Sequence, residues 1–440
     1  MATLLLKDII YVSDGRIRRA DITINGSFID HITDCEDLPP SSVFDGFHGG
    51  TELLIPGVID DHVHTREPGL THKGDLVTET RAAAAGGVTT IMDMPNVVPQ
   101  TTTLDALADR QALGRDHAFV NYTFYFGATN TNAHLLRQLD PTLVPAVKLF
   151  MGSSTGGMLV DHGEALHDVF SLSPLPVMAH CEDSAIISNN MRQAKEQFGD
   201  DPDVCHHPEI RSREACIASS TLAAQLARET GARLHIAHVT TADELTLAAP
   251  GITLEACLPH LLYCDEDYAR LGTRIKCNPA VKTMADRDAL RRALTDGRIT
   301  TVATDHAPHL PTEKQGGCAR AASGIPMVQF SLPAMLDLVE EGVLSLPQLV
   351  ELMCHGPARL FNISRRGFIR EGMRADLVVL RRQPWTLTAA DIVSRCGWSP
   401  LEGHTFKWQV CQTYCNGSLA YDNGRFAPDN SHAEALTFDR

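Results

Sequence analysis

The sequence predicts an α/β fold, a (β/α)8 TIM barrel with a small flanking β-sandwich domain built from both termini. One observation is a series of short apolar runs with the length of buried strands, at 58–64, 89–94, 119–126, 146–150, 177–180, 233–239, 252–256 and 299–304. The other is that helical patterns separate these runs, such as the stretch 80–85, which Gly86 and Gly87 close. Eight strands alternating with helices indicate a closed parallel barrel, and a doubly wound open sheet is the alternative.

The two ends of the chain carry β-type patterns without helices. The N-terminal part contains the runs Asp8–Val12 and Asp21–Ile24 with Asp-Gly and Asn-Gly turns, and strand patterns return near the C-terminus. We therefore expect residues 1–54 and 366–440 to form one β-sandwich accessory domain. Residues 55–365 would then form the barrel.

Composition and charge limit the class of protein. The 440 residues are 43% apolar and 21% charged, as in ordinary soluble globular proteins. A formal net charge of −16 argues against a nucleic-acid partner, because phosphate binding depends on clustered Lys and Arg, and favours a small-molecule substrate. No apolar run has the length of a signal-peptide core or a membrane span, so we expect a cytoplasmic protein with no membrane partner. The 12 cysteines include no CxxC pair, which is typical of reduced thiols in a cytosolic enzyme.

Two histidines stand at the end of the first predicted barrel strand. A strand sends residues i and i+2 to the same face, so His62 and His64 project side by side. Two imidazoles in this arrangement can hold a metal ion. A pair of hydrogen-bonded structural histidines has the same spacing and is the alternative.

More ligand-type residues stand at the ends of later predicted strands. Strand ends meet at one face of a parallel barrel, so these side chains are expected to converge. Histidine and aspartate suit a borderline cation such as zinc, and the repetition on successive strands favours a metal site over buried structural histidines. His235 and His238 are three residues apart on one strand, so they face opposite ways and only one of them can be a ligand. The predicted metal ligands are His62, His64, Lys148, His180, His238 and Asp305.

Lys148 is the member of this set whose charge conflicts with a metal. Burial and nearby cations lower the pKa of an amine, and a neutral amine can react with carbon dioxide to form a carbamate that bridges two metal ions. A surface lysine in a salt bridge is the alternative. Two ions about 3.5–4 Å apart can share a hydroxide that attacks an amide carbon. Asp305 is then the expected catalytic residue that passes the hydroxide's proton to the leaving nitrogen, and helix capping is its alternative role.

Beside the expected metal site lie residues suited to an anionic substrate. Arg66 carries the most weight among them, because a guanidinium binds a carboxylate through two parallel hydrogen bonds. A solvated or capping Arg66 is the alternative. The predicted substrate-binding residues are Arg66, Asn96, Asn278 and His309.

Four motifs occur together in this chain: His62–Gly69, Ala85–Thr90, Met94–Asn96 and Asp305–His309. On these motifs the sequence resembles the dihydroorotases of the amidohydrolase superfamily, a group of cyclic amidases. The resemblance runs from Ile55 into the C-terminal β-type segment. It implies the same barrel with its flanking β-sandwich.

The resemblance also implies an activity and a cofactor. The activity is reversible cyclisation of N-carbamoyl-L-aspartate to L-dihydroorotate and water in pyrimidine (UMP) biosynthesis. The cofactor is zinc, with two ions bridged by carboxylated Lys148 and a hydroxide, and Arg66, Asn96 and His309 would hold the substrate carboxylate. A homodimer is the expected assembly, and association with aspartate transcarbamoylase stays open. Two other interpretations stay open: a dihydropyrimidinase, hydantoinase or allantoinase with the same metal ligands, and a non-catalytic scaffold that assembles with a partner enzyme.

Overall fold

The computed structural model describes residues 3–39, 52–152 and 158–440. Part of the predicted N-terminal accessory segment, residues 40–51, lies outside these ranges. The described chain begins with four strands, which are β1 (Thr3–Ser13), β2 (Arg16–Asn25), β3 (Phe28–Leu38) and β4 (Glu52–Pro56).

Eight strand positions then form a parallel barrel. Neighbouring positions pair in parallel register, and nearly every strand residue is buried because such strands are covered on both faces. The predicted (β/α)8 fold is confirmed. The positions are β5 (Val58–Val63), β6 (Val88–Asp93), the interrupted pair β7 (Asn121–Phe124) and β8 (Phe126–Gly127), β9 (Val147–Phe150), β10 (Val177–His180), β11 (Leu234–Ile236), β12 (Ile252–Cys257) and β13 (Thr301–Ala303).

Contacts between the first and last positions close the barrel. Val63 bridges in parallel to His306, and the backbone N–H of His64 donates to the His306 carbonyl at 2.8 Å. The buried carboxylate of Asp60 accepts the Thr304 hydroxyl at 2.6 Å. The open-sheet alternative therefore does not apply.

The strand predicted at 233–239 is shorter in the structure and ends at Ile236. The backbone of His238 has a φ of 38°, which is incompatible with a pleated strand. Asp305 likewise follows β13 with a φ of 47°. Both side chains are therefore placed by the first turn of a loop rather than by strand alternation.

Helices alternate with the barrel strands and cover the outside of the barrel. The first of them begins at a capping box in which Asp75 accepts the Thr78 N–H at 2.7 Å. In the described ranges no helix has the length and hydropathy to cross a membrane. The helices are α1 (Leu76–Ala85), α2 (Leu104–His117), α3 (Gly163–Leu172), α4 (Ser184–Phe198), α5 (His207–Ile210), α6 (Arg213–Thr230), α7 (Leu258–Leu262), α8 (Tyr268–Leu271), α9 (Met284–Ala293), α10 (Ser331–Glu340), α11 (Leu346–Val350) and α12 (Gly356–Phe361).

Both ends of the chain build one further sheet. The C-terminal strands are β14 (Leu377–Arg381), β15 (Trp385–Thr386), β16 (Thr405–Phe406), β17 (Gln409–Cys415), β18 (Ser418–Asp422) and β19 (Arg425–Phe426). The eight strands of the sheet have the order β19-β18-β17-β14-β4-β1-β2-β3, so β4 lies between strands from opposite ends of the chain. The sheet has a hydrophobic cluster of its own, which includes Ile22, Leu54 and Val379.

A buried polar network joins this sheet to the barrel. Arg366 forms an ion pair with Asp376 and donates to Asn416 Oδ1 at 2.9 Å. Asp376 also accepts the side-chain N–H of Asn121, a β7 residue, at 3.1 Å. Removing the carboxylate would leave the Arg366 guanidinium with one remaining acidic partner, Glu434 at 2.9 Å, whose side chain is 37% exposed.

We expect Asp376→Ala to lower the free energy of unfolding by about 3 kcal/mol, the lower end of the cost of breaking a buried ion pair, because Arg366 keeps only the partly exposed Glu434 as a partner. Urea unfolding followed by circular dichroism measures the change. The control is Asp37→Ala, which removes an ion pair to Arg18 in which the carboxylate side chain is 63% exposed, and it should change stability by less than about 1 kcal/mol. Equal losses in the two variants would contradict the role of the buried network.

Candidate active site

One cavity opens at the C-terminal ends of the barrel strands. All predicted site residues except Lys148 line it, and Lys148 is completely buried on β9. Phe150, Ser323 and Gly324 also line the cavity. The cavity-lining members of the predicted set are His62, His64, Arg66, Asn96, His180, His238, Asn278, Asp305 and His309.

The histidines at the end of β5 face a single carboxylate. His62 Nε2 lies 3.3 Å from Asp305 Oδ1, and His64 Nε2 lies 3.1 Å from the same oxygen. The other ring nitrogen of His64 bonds Asn96 Oδ1 at 2.8 Å. Asn96 therefore holds a predicted metal ligand in place in addition to lining the cavity.

The histidines that follow β10 and β11 meet on the other side of the cavity. His180 Nδ1 lies 2.9 Å from His238 Nε2, and His180 Nε2 bonds Glu182 at 2.9 Å. Glu182 is also paired with Arg211 at 2.7 Å. His238 Nδ1 is buried and has no hydrogen-bond partner in the described ranges.

Burial keeps the imidazoles of His64, His180 and His238 neutral. It lowers the pKa of His64 to about 3 and lowers the pKa of His180 and His238 as well. Neutral rings have the free lone pairs that a metal requires. Burial raises the pKa of the Asp305 carboxyl, but its interactions with His62 and its hydrogen bond with His64 outweigh burial and hold the pKa below its usual range.

Lys148 has the environment that carboxylation requires. Within the described residues its ammonium nitrogen has no hydrogen-bond partner, and burial lowers the pKa of its amine although Glu255 and Asp305 oppose the shift. A lysine that is completely buried without a partner favours its neutral form. The alternative interpretation of Lys148, a surface lysine in a salt bridge, is therefore wrong.

The donor set fits a borderline cation. Ligand atoms of His62, His238 and Asp305 lie within 4.8 Å of one another, and imidazole nitrogen with carboxylate oxygen is a typical zinc environment. Two further groups lack hydrogen-bond partners in the described ranges and could supply ligand atoms: His238 through its buried Nδ1, and Lys148 once its amine is carboxylated. The residues present could therefore hold one or more zinc ions.

Glu255 was not among the site residues predicted from the sequence. This β12 carboxylate accepts from His62 Nδ1 and from the His238 backbone N–H, both at 2.8 Å, and so orients two predicted ligands. The available signal was a single acidic residue inside the apolar run Ile252–Cys257. His235, the rival of His238, lies outside the cavity lining and bonds Thr253 at 2.8 Å.

Three basic side chains, those of Arg66, Lys73 and His309, lie together beside the histidines, and Glu313 pairs with Lys73 at 3.1 Å. We call this group the anion-binding corner after the role that we propose for it. Arg66 Nη2 lies 3.1 Å from His309 Nε2, and Arg66 Nε donates to the Pro308 carbonyl at 3.2 Å. Lys73 Nζ lies 3.2 Å from His309 Nδ1. Burial, together with the charges of Arg66 and Lys73, holds the pKa of His309 far below its usual value, so this ring is neutral. The side-chain oxygen of Asn278, also in the cavity, is buried without a hydrogen-bond partner in the described ranges.

Comparison with known proteins finds similar chains along almost the whole length. The model of the amidohydrolase family matches residues 53–419. A dihydroorotase of Halobacterium salinarum is 34% identical, with 93% of this chain and 95% of the relative covered. An allantoinase of Deinococcus radiodurans is 31% identical, with 96% of each covered. The solved L-hydantoinase (dihydropyrimidinase) from Arthrobacter aurescens has a TM-score of 0.89 at 26% identity, with 98% of this chain and 99% of that chain covered.

We expect Glu255→Gln to weaken zinc binding about 10- to 100-fold, because a residue that orients a metal ligand contributes that much to affinity. Competition with a chromogenic chelator measures the affinity of the metal-free protein. Glu209→Gln is the matched control, since Glu209 also bonds a histidine, His206, at 2.8 Å, but at the surface. Unchanged zinc affinity in Glu255→Gln would contradict the orienting role.

Proposed function

The chain belongs to the amidohydrolase family, and from this premise we propose that it is a dihydroorotase. Such an enzyme interconverts N-carbamoyl-L-aspartate with L-dihydroorotate and water. The observation that carries the proposal is Arg66, a 5% exposed cation in the cavity that forms no ion pair within the described residues. A buried guanidinium without an anion is unfavourable, and the carboxylate of dihydroorotate would supply the missing partner.

The proposed zinc centre uses residues of five strand ends. Zinc, when bound, polarises the amide carbonyl and lowers the pKa of water. Lys148, whose buried amine has no hydrogen-bond partner within the described residues, would help to hold the zinc once it is carboxylated. The other ligands of the proposal are His62, His64, His180, His238 and Asp305.

Asp305 is the proposed acid–base residue. Its carboxylate lies within 3.3 Å of both β5 histidines and stays ionised, so it can accept a proton. In hydrolysis Asp305 takes the proton of the attacking water and delivers it to the ring nitrogen as the C–N bond breaks. In cyclisation the same proton moves in the opposite direction. Arg66 and His309 hold the substrate carboxylate meanwhile, and Asn96 and Asn278 line the cavity beside it.

A cyclic amidase for a neutral ring is the second candidate. It is supported by the similarity to an allantoinase and to a solved hydantoinase. The proposed metal ligands do not distinguish the two candidates, because both reactions hydrolyse a cyclic amide. A neutral ring offers Arg66 no anion, and for that reason we prefer dihydroorotate.

The first test is hydrolysis of L-dihydroorotate by the purified protein, beside dihydrouracil, hydantoin and allantoin, before and after chelation. We expect turnover of dihydroorotate that a chelator abolishes and zinc restores, because the attack on the amide depends on the metal. Preference for a neutral ring would contradict the substrate. Absence of any turnover by zinc-loaded protein would favour a non-catalytic scaffold.

Arg66→Ala tests the anion-binding corner. We expect kcat/KM for dihydroorotate to fall about 100-fold, as for the loss of a charge-assisted bidentate contact. The uncharged methyl ester of dihydroorotate should be hydrolysed by variant and parent at similar rates. An equal fall on acid and ester would contradict a role in binding the carboxylate, and Arg213→Ala, outside the cavity, controls for general effects of losing an arginine.

A further inference from the structure

A short segment of the C-terminal part, residues 394–399, packs against the loop that follows β13; we call it the strap. Trp398 in the strap is 6% exposed, and its indole N–H donates to the His309 carbonyl at 2.7 Å. At the other end of the strap, the Ser394 hydroxyl donates to Glu79 at 2.5 Å, and Glu79 bonds His306 at 2.8 Å. The strap therefore holds this loop at two points.

Two consecutive backbone carbonyls of this loop, those of Pro308 and His309, each accept a hydrogen bond from a side chain. The Pro308 carbonyl accepts from Arg66 Nε at 3.2 Å, and the next carbonyl, that of His309, accepts from Trp398. With its backbone held in this way, His309 places its ring nitrogen 3.1 Å from the Arg66 fork. The alignment of the two side chains thus depends on where the His309 backbone lies.

The indole ring of Trp398 also lies near Lys314, whose side chain bonds the backbone of a residue that lines the cavity. The Lys314 ammonium lies 5.7 Å from its ring centroid, within the range of a cation–π interaction. Lys314 donates to the carbonyls of Lys276, Ala322 and Gly324 at 2.9–3.0 Å, and Gly324 lines the cavity. Within the described residues the cavity lining does not include Trp398. Trp398 would therefore act on the site through its neighbours.

Resting on the proposed function, we propose that Trp398 is a positioning residue of the anion-binding corner. Its indole N–H fixes the His309 backbone and so aligns His309 and Arg66 for a substrate carboxylate. The strap thereby sets the affinity for the anionic substrate without contacting it. The proposed metal ligands on the other side of the cavity take no part in this role.

The test compares Trp398→Phe with Trp385→Phe in the zinc-loaded protein. Trp385 is the matched control, because its indole N–H also donates to a backbone carbonyl, that of Trp408 at 2.9 Å, and it does not line the cavity. We expect Trp398→Phe to raise KM for dihydroorotate about tenfold with kcat changed less than about twofold, as for loss of one aligning hydrogen bond. Trp385→Phe should leave both constants unchanged.

A binding measurement separates this inference from the proposed function. Calorimetry with orotate, a planar anionic analogue, should show affinity about tenfold weaker in Trp398→Phe and unchanged in Trp385→Phe. If orotate binds more weakly to Trp398→Phe but the parent protein does not hydrolyse dihydroorotate, the positioning role is supported and the proposed dihydroorotase activity is contradicted. Equal KM and equal orotate affinity in the two variants would overturn the positioning role, as would a loss confined to kcat. If Trp398→Phe does not fold, a tryptophan analogue with sulfur in place of the indole N–H keeps the shape and gives the same comparison.

Discussion

The site depends on the contact that closes the barrel. Asp60 joins the first and last strand positions through Thr304, and the same carboxylate accepts the backbone N–H of His62 at 3.2 Å. Without closure, the ends of β5 and β13 would lie at opposite edges of a sheet, and Asp305 would not reach the histidines. Asp60 is only 1% exposed at this joint, and burial raises the pKa of its carboxyl to about 6. The hydrogen bonds that close the barrel therefore also bring the site residues together.

The cavity combines two kinds of electrostatic environment. On one side, burial lowers the pKa of the His180 imidazole and of the Lys148 amine, which favours their neutral forms and free lone pairs. On the other side, burial together with the charges of Arg66 and Lys73 lowers the pKa of His309 and keeps this ring neutral. One side of the cavity suits a cation and the other an anion. A small molecule with a carboxylate and an amide bond can contact both sides at once.

Much of this arrangement could be predicted from the sequence, because strand-end positions are encoded locally. The apolar runs located every barrel strand, and the position of His62 and His64 followed from the strand period. Glu255 was missed because its importance arises from a contact with His62 across 193 positions of the chain. The strand bearing His238 was predicted too long, since a positive φ leaves no mark in an apolar pattern. The contact of Trp398 with His309 is equally invisible, because a tryptophan near the C-terminus carries no sign of the loop against which it packs.

The terminal sheet has a consequence for the order in which the molecule can form during synthesis. Leu54 on β4 pairs with Tyr11 on one side and with Val379 on the other, so this strand has only one neighbour until the C-terminal strands have left the ribosome. Strand edges that wait in this way are exposed to unwanted pairing. The nascent chain therefore carries an unfinished sheet while the whole barrel is translated. A truncation that removes β14 would leave β4 as a permanent edge and favour aggregation.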